Sequence, residues 1–324
     1  MKIPWPLVAL GFLLAACTAP KEVQPRIVYI PKMADDGNSF WRTVREGVLS
    51  AAEDLGVDIV VRSTADETMI DGQIQIVEQT IKEKPAAIIL AAADFWRLVP
   101  AVKHARAAGI PVVTVDSSIA TDDASAKIGT DNRQMGRSAG AALLRVIGRG
   151  SVVGVLSYIK QSSTARDREQ GLAEALLGSV YLLPTLYSDS DQETAYKQAK
   201  DLLATRKDLQ GLIALNEPTT LGACQALKES GRQKEVALVG IDASFEVLKS
   251  LESGVLRSVL VQQPFNMGYL GVEVASKIVT HRSGPTSIDT GAIEITKATL
   301  FLPQNEKLLF PVTVLNSPHP VPNP

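Results

Sequence analysis

Asp116 and Asp242 each stand directly behind an apolar run, in IPVVTVD and VALVGID. A carboxylate at that point accepts hydrogen bonds from hydroxyl groups, and a pair of carboxylates is also the minimum for acid–base work on a glycosidic bond. Arg166 follows SSTA, Asn216 follows GLIAL, and Gln262 ends RSVLVQ. Asn38, Phe40 and Trp41 follow a turn-forming stretch, Asp35-Asp36-Gly37. Planar side chains that donate or accept two hydrogen bonds are combined here with flat aromatic surface. That combination suits a small polyhydroxylated molecule, whose C–H faces pack on aromatic rings and whose hydroxyl rim needs donors and acceptors.

Each of these residues also has a plainer role open to it. Asn38 is a natural N-cap for the following helix, and either aspartate is a natural turn or cap residue. Phe40 and Trp41 are adjacent and so do not share one helix face, which lets one stack on a ligand while the other packs inward. Arg166 lies among Asp167, Arg168 and Glu169, where a surface ion network competes with a ligand contact. Glu217 reads as a cap for the next helix, whereas Asn216 both donates and accepts.

Other chemistries lack their devices. There is no P-loop, and the only glycine in the loop between the first strand and the first helix is Gly37, so neither phosphate cradling nor dinucleotide binding has its usual backbone. No G-x-S-x-G element is present, and an enzyme is not expected. The three histidines, His104, His281 and His319, have no partners at metal-ligand spacing, and no metal or other cofactor is expected. Cys224 reads as a small buried residue on a helix, with no disulfide. With 33 basic against 35 acidic side chains and no basic block, nucleic acid is excluded as a partner.

The elements that must position these residues alternate regularly. Strands are expected at 26–31, 57–62, 86–91, 110–115, 126–129, 152–157, 181–187, 211–215 and 236–241. Helices are expected at 39–55, 69–84, 97–108, 131–148, 165–177, 192–206 and 219–230. The apolar runs are continuous rather than alternating, as in a parallel sheet covered on both faces. Two sets of such units predict two doubly wound α/β lobes. In open α/β sheets the ligand lies beyond the carboxyl ends of the strands, which selects the loops holding the residues above.

The amino terminus is a separate piece. Lys2 precedes an apolar run at 4–16 that stops at Cys17, and TAPKEVQP follows. The run is short and flanked as an export signal is. Its Leu-Ala-Ala-Cys ending resembles a bacterial lipobox, which implies that Cys17 is lipidated and tethers the mature chain to a membrane.

Taken together, NSFW at 38–41, IPVVTVD at 110–116, IGTDNRQMGRSAG at 128–140, STARDREQG at 163–171, ALNEPTTLGACQAL at 214–227, LVGIDA at 238–243 and VQQPFNMG at 261–268 resemble the type I periplasmic sugar-binding proteins of the ribose/galactose/allose group. These share their core with lac-repressor-like regulators. The resemblance implies two Rossmann-like lobes joined by a three-segment hinge, closing on a monosaccharide or polyol for delivery to an ABC permease and its cytoplasmic ATPase. It places the ligand contacts on Asn38, Phe40, Trp41, Asp116, Arg166, Asn216, Asp242 and Gln262. A sugar sensor signalling to a chemoreceptor or histidine kinase is the alternative. The expected organisation is a signal at 1–16, a tether at 17–25, a first lobe of 26–117 with 248–262, a second of 118–247 with 263–308, and a tail at 309–324. The crossings are expected near 116–119, 243–247 and 262–265, and a monomer is expected. Two positions depart from the ribose-type pattern. Ser117 stands where an arginine is usual, and Ser188-Asp189-Ser190-Asp191 replaces an aromatic, which disfavours ribose itself.

Overall fold

The computed structural model describes residues 25–34, 37–282 and 284–309. The expected signal, Cys17, all but the last residue of the tether, Asp35, Asp36 and the tail from 310 lie outside the described residues. Among the described residues no helix is long and apolar enough to cross a membrane.

The first lobe begins with β1 (Arg26–Ile30), α1 (Ser39–Leu55), β2 (Asp58–Val61), α2 (Ile70–Lys82), β3 (Ala87–Leu90), α3 (Val99–Ala107), β4 (Val112–Val115) and β5 (Ala126–Gly129). The second contains α4 (Asn132–Leu144), β6 (Val152–Ser157), α5 (Ser163–Leu176), β7 (Tyr181–Leu182), β8 (Leu186–Tyr187), α6 (Gln192–Thr205), β9 (Leu209–Ala214), α7 (Glu217–Ser230), β10 (Ala237–Ile241), α8 (Phe245–Glu252) and β11 (Ser258–Gln262). The chain then adds α9 (Pro264–Val279), β12 (Ser287–Asp289), β13 (Ala292–Thr296) and α10 (Pro303–Leu309).

Two sheets form. One runs β12-β5-β4-β3-β1-β2 and is parallel throughout; the other runs β13-β11-β10-β9-β6-β7, with only β13 antiparallel. β1, β3, β4 and β10 are wholly buried apart from Arg26, as their continuous apolar sequences require. The stretch expected as one strand at 181–187 is two short ones, β7 and β8, both pairing with β6. Pro184 stands between them and has no N–H to give to a ladder.

The partition into lobes differs from the expected one. β5 pairs with β4, and α9 packs on α1, β3, β4 and β5, so residues 118–129 and 264–289 belong to the first lobe. β11 pairs with β10 and α8 packs on α7, so 245–262 belong to the second. The chain therefore crosses between lobes at 130–131, 263 and 290–291, not near 116–119 or 243–247. Those two loops stay in their own lobes because the strand after each aspartate docks beside the strand before it. The crossing segments hold one another: Gln263 Nε2 donates to the Thr290 carbonyl at 2.6 Å, and the Thr130 hydroxyl to that of Gly291 at 3.4 Å.

Helix ends follow their sequence signals. Asn38 Oδ1 accepts from the Trp41 amide at 3.1 Å, and α1 stops at left-handed Gly56. Asn216 and Thr219 form a reciprocal capping box on α7. Each lobe also brings two helices into backbone contact. A β-carbon at Gly136 would collide with the Arg168 carbonyl, and one at Gly268 with that of Val44. Glycine at 136 thus lets α4 and α5 approach closely, and that approach fixes where Arg168 stands.

Candidate functional site

The site lies between the lobes, at the carboxyl ends of both sheets. It is lined by side chains from both lobes.

Asp116 and Asp242 are related by the internal repeat. Each leaves its strand, β4 or β10, in the left-handed conformation, with φ of 60° and 68°. Each peptide N–H still donates to the neighbouring strand, to Ile128 and Leu260 respectively, both at 2.9 Å. Strained backbone at two equivalent strand ends turns two carboxylates into one cleft.

Their surroundings differ. Lys32, buried two residues beyond β1, places Nζ 2.9 Å from Asp116 Oδ2, and Ser117 donates to the same oxygen at 2.6 Å. Burial works to raise the Asp116 pKa, but the Lys32 charge, the Ser117 hydroxyl and Arg168 outweigh it, and the carboxyl is held below its ordinary value. Asp242 receives Gln262 Nε2 at 2.6 Å, with Arg168 only at 3.8 Å. Burial prevails there and pushes its carboxyl up to about 6.

Arg168 is the pivot of the second lobe. Its Nε donates to Asn132 Oδ1 at 2.8 Å and its Nη1 to the Leu215 carbonyl at 2.6 Å. Burial opposes its charge, but Tyr158, Asp242 and Asp116 hold it and its pKa is raised. Tyr158 packs beneath the guanidinium at 5.7 Å, and its hydroxyl donates a hydrogen bond to Thr164 Oγ1 at 2.6 Å. Trp41 is buried, meets Phe40 edge-to-face at 5.1 Å, and donates Nε1 to Glu67 at 2.8 Å. Asn216 Nδ2 donates to Ser190 at 3.2 Å.

Of the eight residues expected at the site, Asn38, Phe40, Trp41, Asp116, Asn216, Asp242 and Gln262 line this pocket. Arg166 does not. It is exposed and stacks on Phe95 and Trp96 of the first lobe, 5.0 and 5.3 Å from their ring centres. The arginine in the pocket is Arg168, two residues on. The signal for this was available: Thr164, Ala165, Arg168, Gly171, Leu172 and Leu176 form one buried stripe at helical spacing, with 166 off it. Lys32, Glu67 and Glu217 also line the pocket. Lys32 was open to the same strand-end argument as the aspartates. Glu67, in a loop after β2, carries no local mark.

The lobes are closed on this pocket. The Phe95 amide donates to the Gln161 carbonyl at 3.1 Å, the Ser118 amide to Ser163 Oγ at 3.0 Å, and Ser39 to Glu217 at 2.6 Å. Outside it, Cys224 is free and buried, and burial pushes its thiol up to about 12. No group of His, Cys, Asp and Glu among the described residues could hold a metal ion.

A periplasmic binding protein domain model matches residues 27–283. The chain belongs to the periplasmic binding protein family. It is 29% identical over 290 residues to a D-ribose/D-allose-binding protein of Pseudomonas aeruginosa, covering 87% of this chain and 90% of that one. Among solved structures it is similar to an ABC transporter solute-binding protein from Agrobacterium vitis with bound D-fucose. There the TM-score is 0.84 and the identity 30%, with 88% of this chain and 99% of that one covered. It is also similar to a carbohydrate transporter solute-binding protein from Agrobacterium radiobacter in complex with D-arabinose. That TM-score is 0.85 at 27% identity, with 89% and 99% covered. The two-lobed α/β architecture of those proteins is the one described above, and the family binds solutes rather than transforming them.

Proposed function

We propose that this chain is an extracytoplasmic solute-binding lipoprotein that captures a monosaccharide or related polyol between its lobes and delivers it to an ABC importer. The observation that carries the reading is the pocket itself. Two strand-end carboxylates, three side-chain amides, a buried arginine and an aromatic pair converge from both lobes on one cleft. The ligands named for the relatives, D-ribose, D-allose, D-fucose and D-arabinose, support the class.

Binding is a population shift toward the closed form. The hydroxyl rim donates to Asp116 and Asp242 and accepts from Arg168 and Asn216, while a sugar face packs on the aromatics. Micromolar affinity corresponds to about −8 kcal/mol, which a few charge-assisted bonds and one aromatic contact supply after ordering costs. Closure brings surfaces of both lobes into the arrangement a permease reads. Lipidation at Cys17 keeps the protein near that permease, with residues 17–25 as tether.

The test is uptake. A strain lacking this chain should lose high-affinity import of the sugar it binds and regain it with the wild-type gene but not with Arg168→Met. Import unchanged by the deletion refutes the transport role. Release of the protein from membranes by Cys17→Ser tests the anchor.

A further inference from the structure

Six charged side chains line the pocket: Lys32 and Arg168 against Glu67, Asp116, Glu217 and Asp242. The formal charge of the lining is therefore −2. All six are buried, with exposures of 9% or less. Both cations are already engaged. Lys32 is on Asp116 and Ser162, and Arg168 is on Asn132, the Leu215 carbonyl and Asp242.

Glu67 and Glu217 stand differently. Glu67 accepts from Trp41 Nε1 at 2.8 Å and from Ser190 at 3.3 Å; Glu217 accepts from Ser39 at 2.6 Å. These partners are neutral, and no basic group forms an ion pair with either carboxylate among the described residues. A second, independent observation is Gln262. Its Nε2 is spent on Asp242, which leaves Oε1 buried in the pocket wall without a hydrogen-bond partner. The surplus in the wall is thus one of acceptors and of negative charge. A ligand completes it by bringing donors, and an anionic ligand meets net buried negative charge, since the charges of Lys32 and Arg168 are already matched by Asp116 and Asp242.

We propose that this pocket is a charge filter, in which Glu67 and Glu217 make it accept neutral and ammonium-bearing sugars and reject those carrying a carboxylate or phosphate. The inference rests on the sugar-binding reading above and adds the residues that set its selectivity. Neither glutamate was among the residues expected to contact ligand. Glu67 reaches across the lobe boundary to Ser190 and Glu217 to Ser39, so an anion near either one also opposes closure.

The experiment uses the full chain and isothermal titration calorimetry. The neutral parent is whichever of D-ribose, D-allose, D-arabinose and D-galactose binds most tightly. It is compared with its amino-deoxy, aldonic or uronic acid and phosphate forms. The parent and at least one amino form should bind within about tenfold of each other, and the acids and phosphates at least about 100-fold more weakly. Glu67→Gln and Glu217→Gln keep size and an acceptor oxygen. Each variant is read by the ratio of its anionic to its neutral affinity, and that gap should narrow by about tenfold or more relative to wild type. An acid or phosphate that binds as tightly as its parent overturns the filter. So does a gap that neither glutamine variant narrows while both still bind the parent. Absence of binding by every form, neutral ones included, refutes the sugar-binding reading itself.

Discussion

Asp242→Asn should make the ligand-free protein more stable at neutral pH, although it removes a pocket carboxylate. Asp242 is buried with Gln262 as its close partner and Arg168 only at 3.8 Å, and its pKa is raised from 3.8 to about 6. The folded protein therefore holds a proton there that the unfolded chain has lost. A raised carboxyl pKa contributes stability that is fully present below about 3.8 and is lost as the pH rises through about 6. At about 1.4 kcal/mol per pH unit, the ionised carboxylate costs the fold about 3 kcal/mol above pH 7. Asparagine carries no such charge and still offers Oδ1 to Gln262 Nε2. Denaturant unfolding of both proteins from pH 4 to pH 8 isolates the difference, because every other titrating group is shared. The stability of Asp242→Asn relative to wild type should rise by about 2 kcal/mol between pH 4 and pH 7 and then level off. The same group couples to ligand. Wild-type sugar affinity should fall below pH 6, by up to about tenfold per unit, as the proton that sugar hydroxyls must displace is retained. A stability difference that does not change with pH refutes the reasoning.

Arg168 and Arg166 should separate cleanly. Arg168→Met leaves Asn132 and the Leu215 carbonyl without their buried donor and Asp242 without its neighbouring charge, so the fold loses about 3–5 kcal/mol in thermal or denaturant unfolding and sugar binding is lost. Arg166→Ala removes only an exposed stack on Phe95 and Trp96 that bridges the lobes. Its worth of about 0.5–1 kcal/mol should appear as a two- to fivefold weaker affinity, carried by faster dissociation in stopped-flow fluorescence, with stability unchanged.

How much of this the sequence discloses depends on the range of the signal. Asp116 and Asp242 are legible because a continuous apolar run ending in a carboxylate fixes both the strand and its end. Asn38 and Asn216 are legible as caps, and their capping geometry is also what points them at the cleft. The resemblance places a contact on Arg166, but α5 starts at Ser163 and its inward stripe runs through 164, 165, 168 and 171, which puts Arg168 in the pocket. The lobe partition is not local. Nothing within Ala126–Gly129 or Ser258–Gln262 distinguishes one sheet from another; pairing with β4 and β10 decides it. β12 and β13 are short and partly exposed, and neither has a continuous apolar run to mark it. Glu67 reaches the site only through the packing of its loop against Trp41, a contact between residues 26 positions apart.

The central claim is that one sugar binds between the lobes on the carboxylates and Arg168. Titration calorimetry of the purified chain with D-ribose, D-allose, D-arabinose, D-fucose, D-galactose and the common pentitols and hexitols tests it most directly. One site per chain, micromolar or tighter for at least one of them and abolished by Arg168→Met, is the predicted result. A folded chain that binds none of them, or one whose binding survives loss of Arg168, contradicts it.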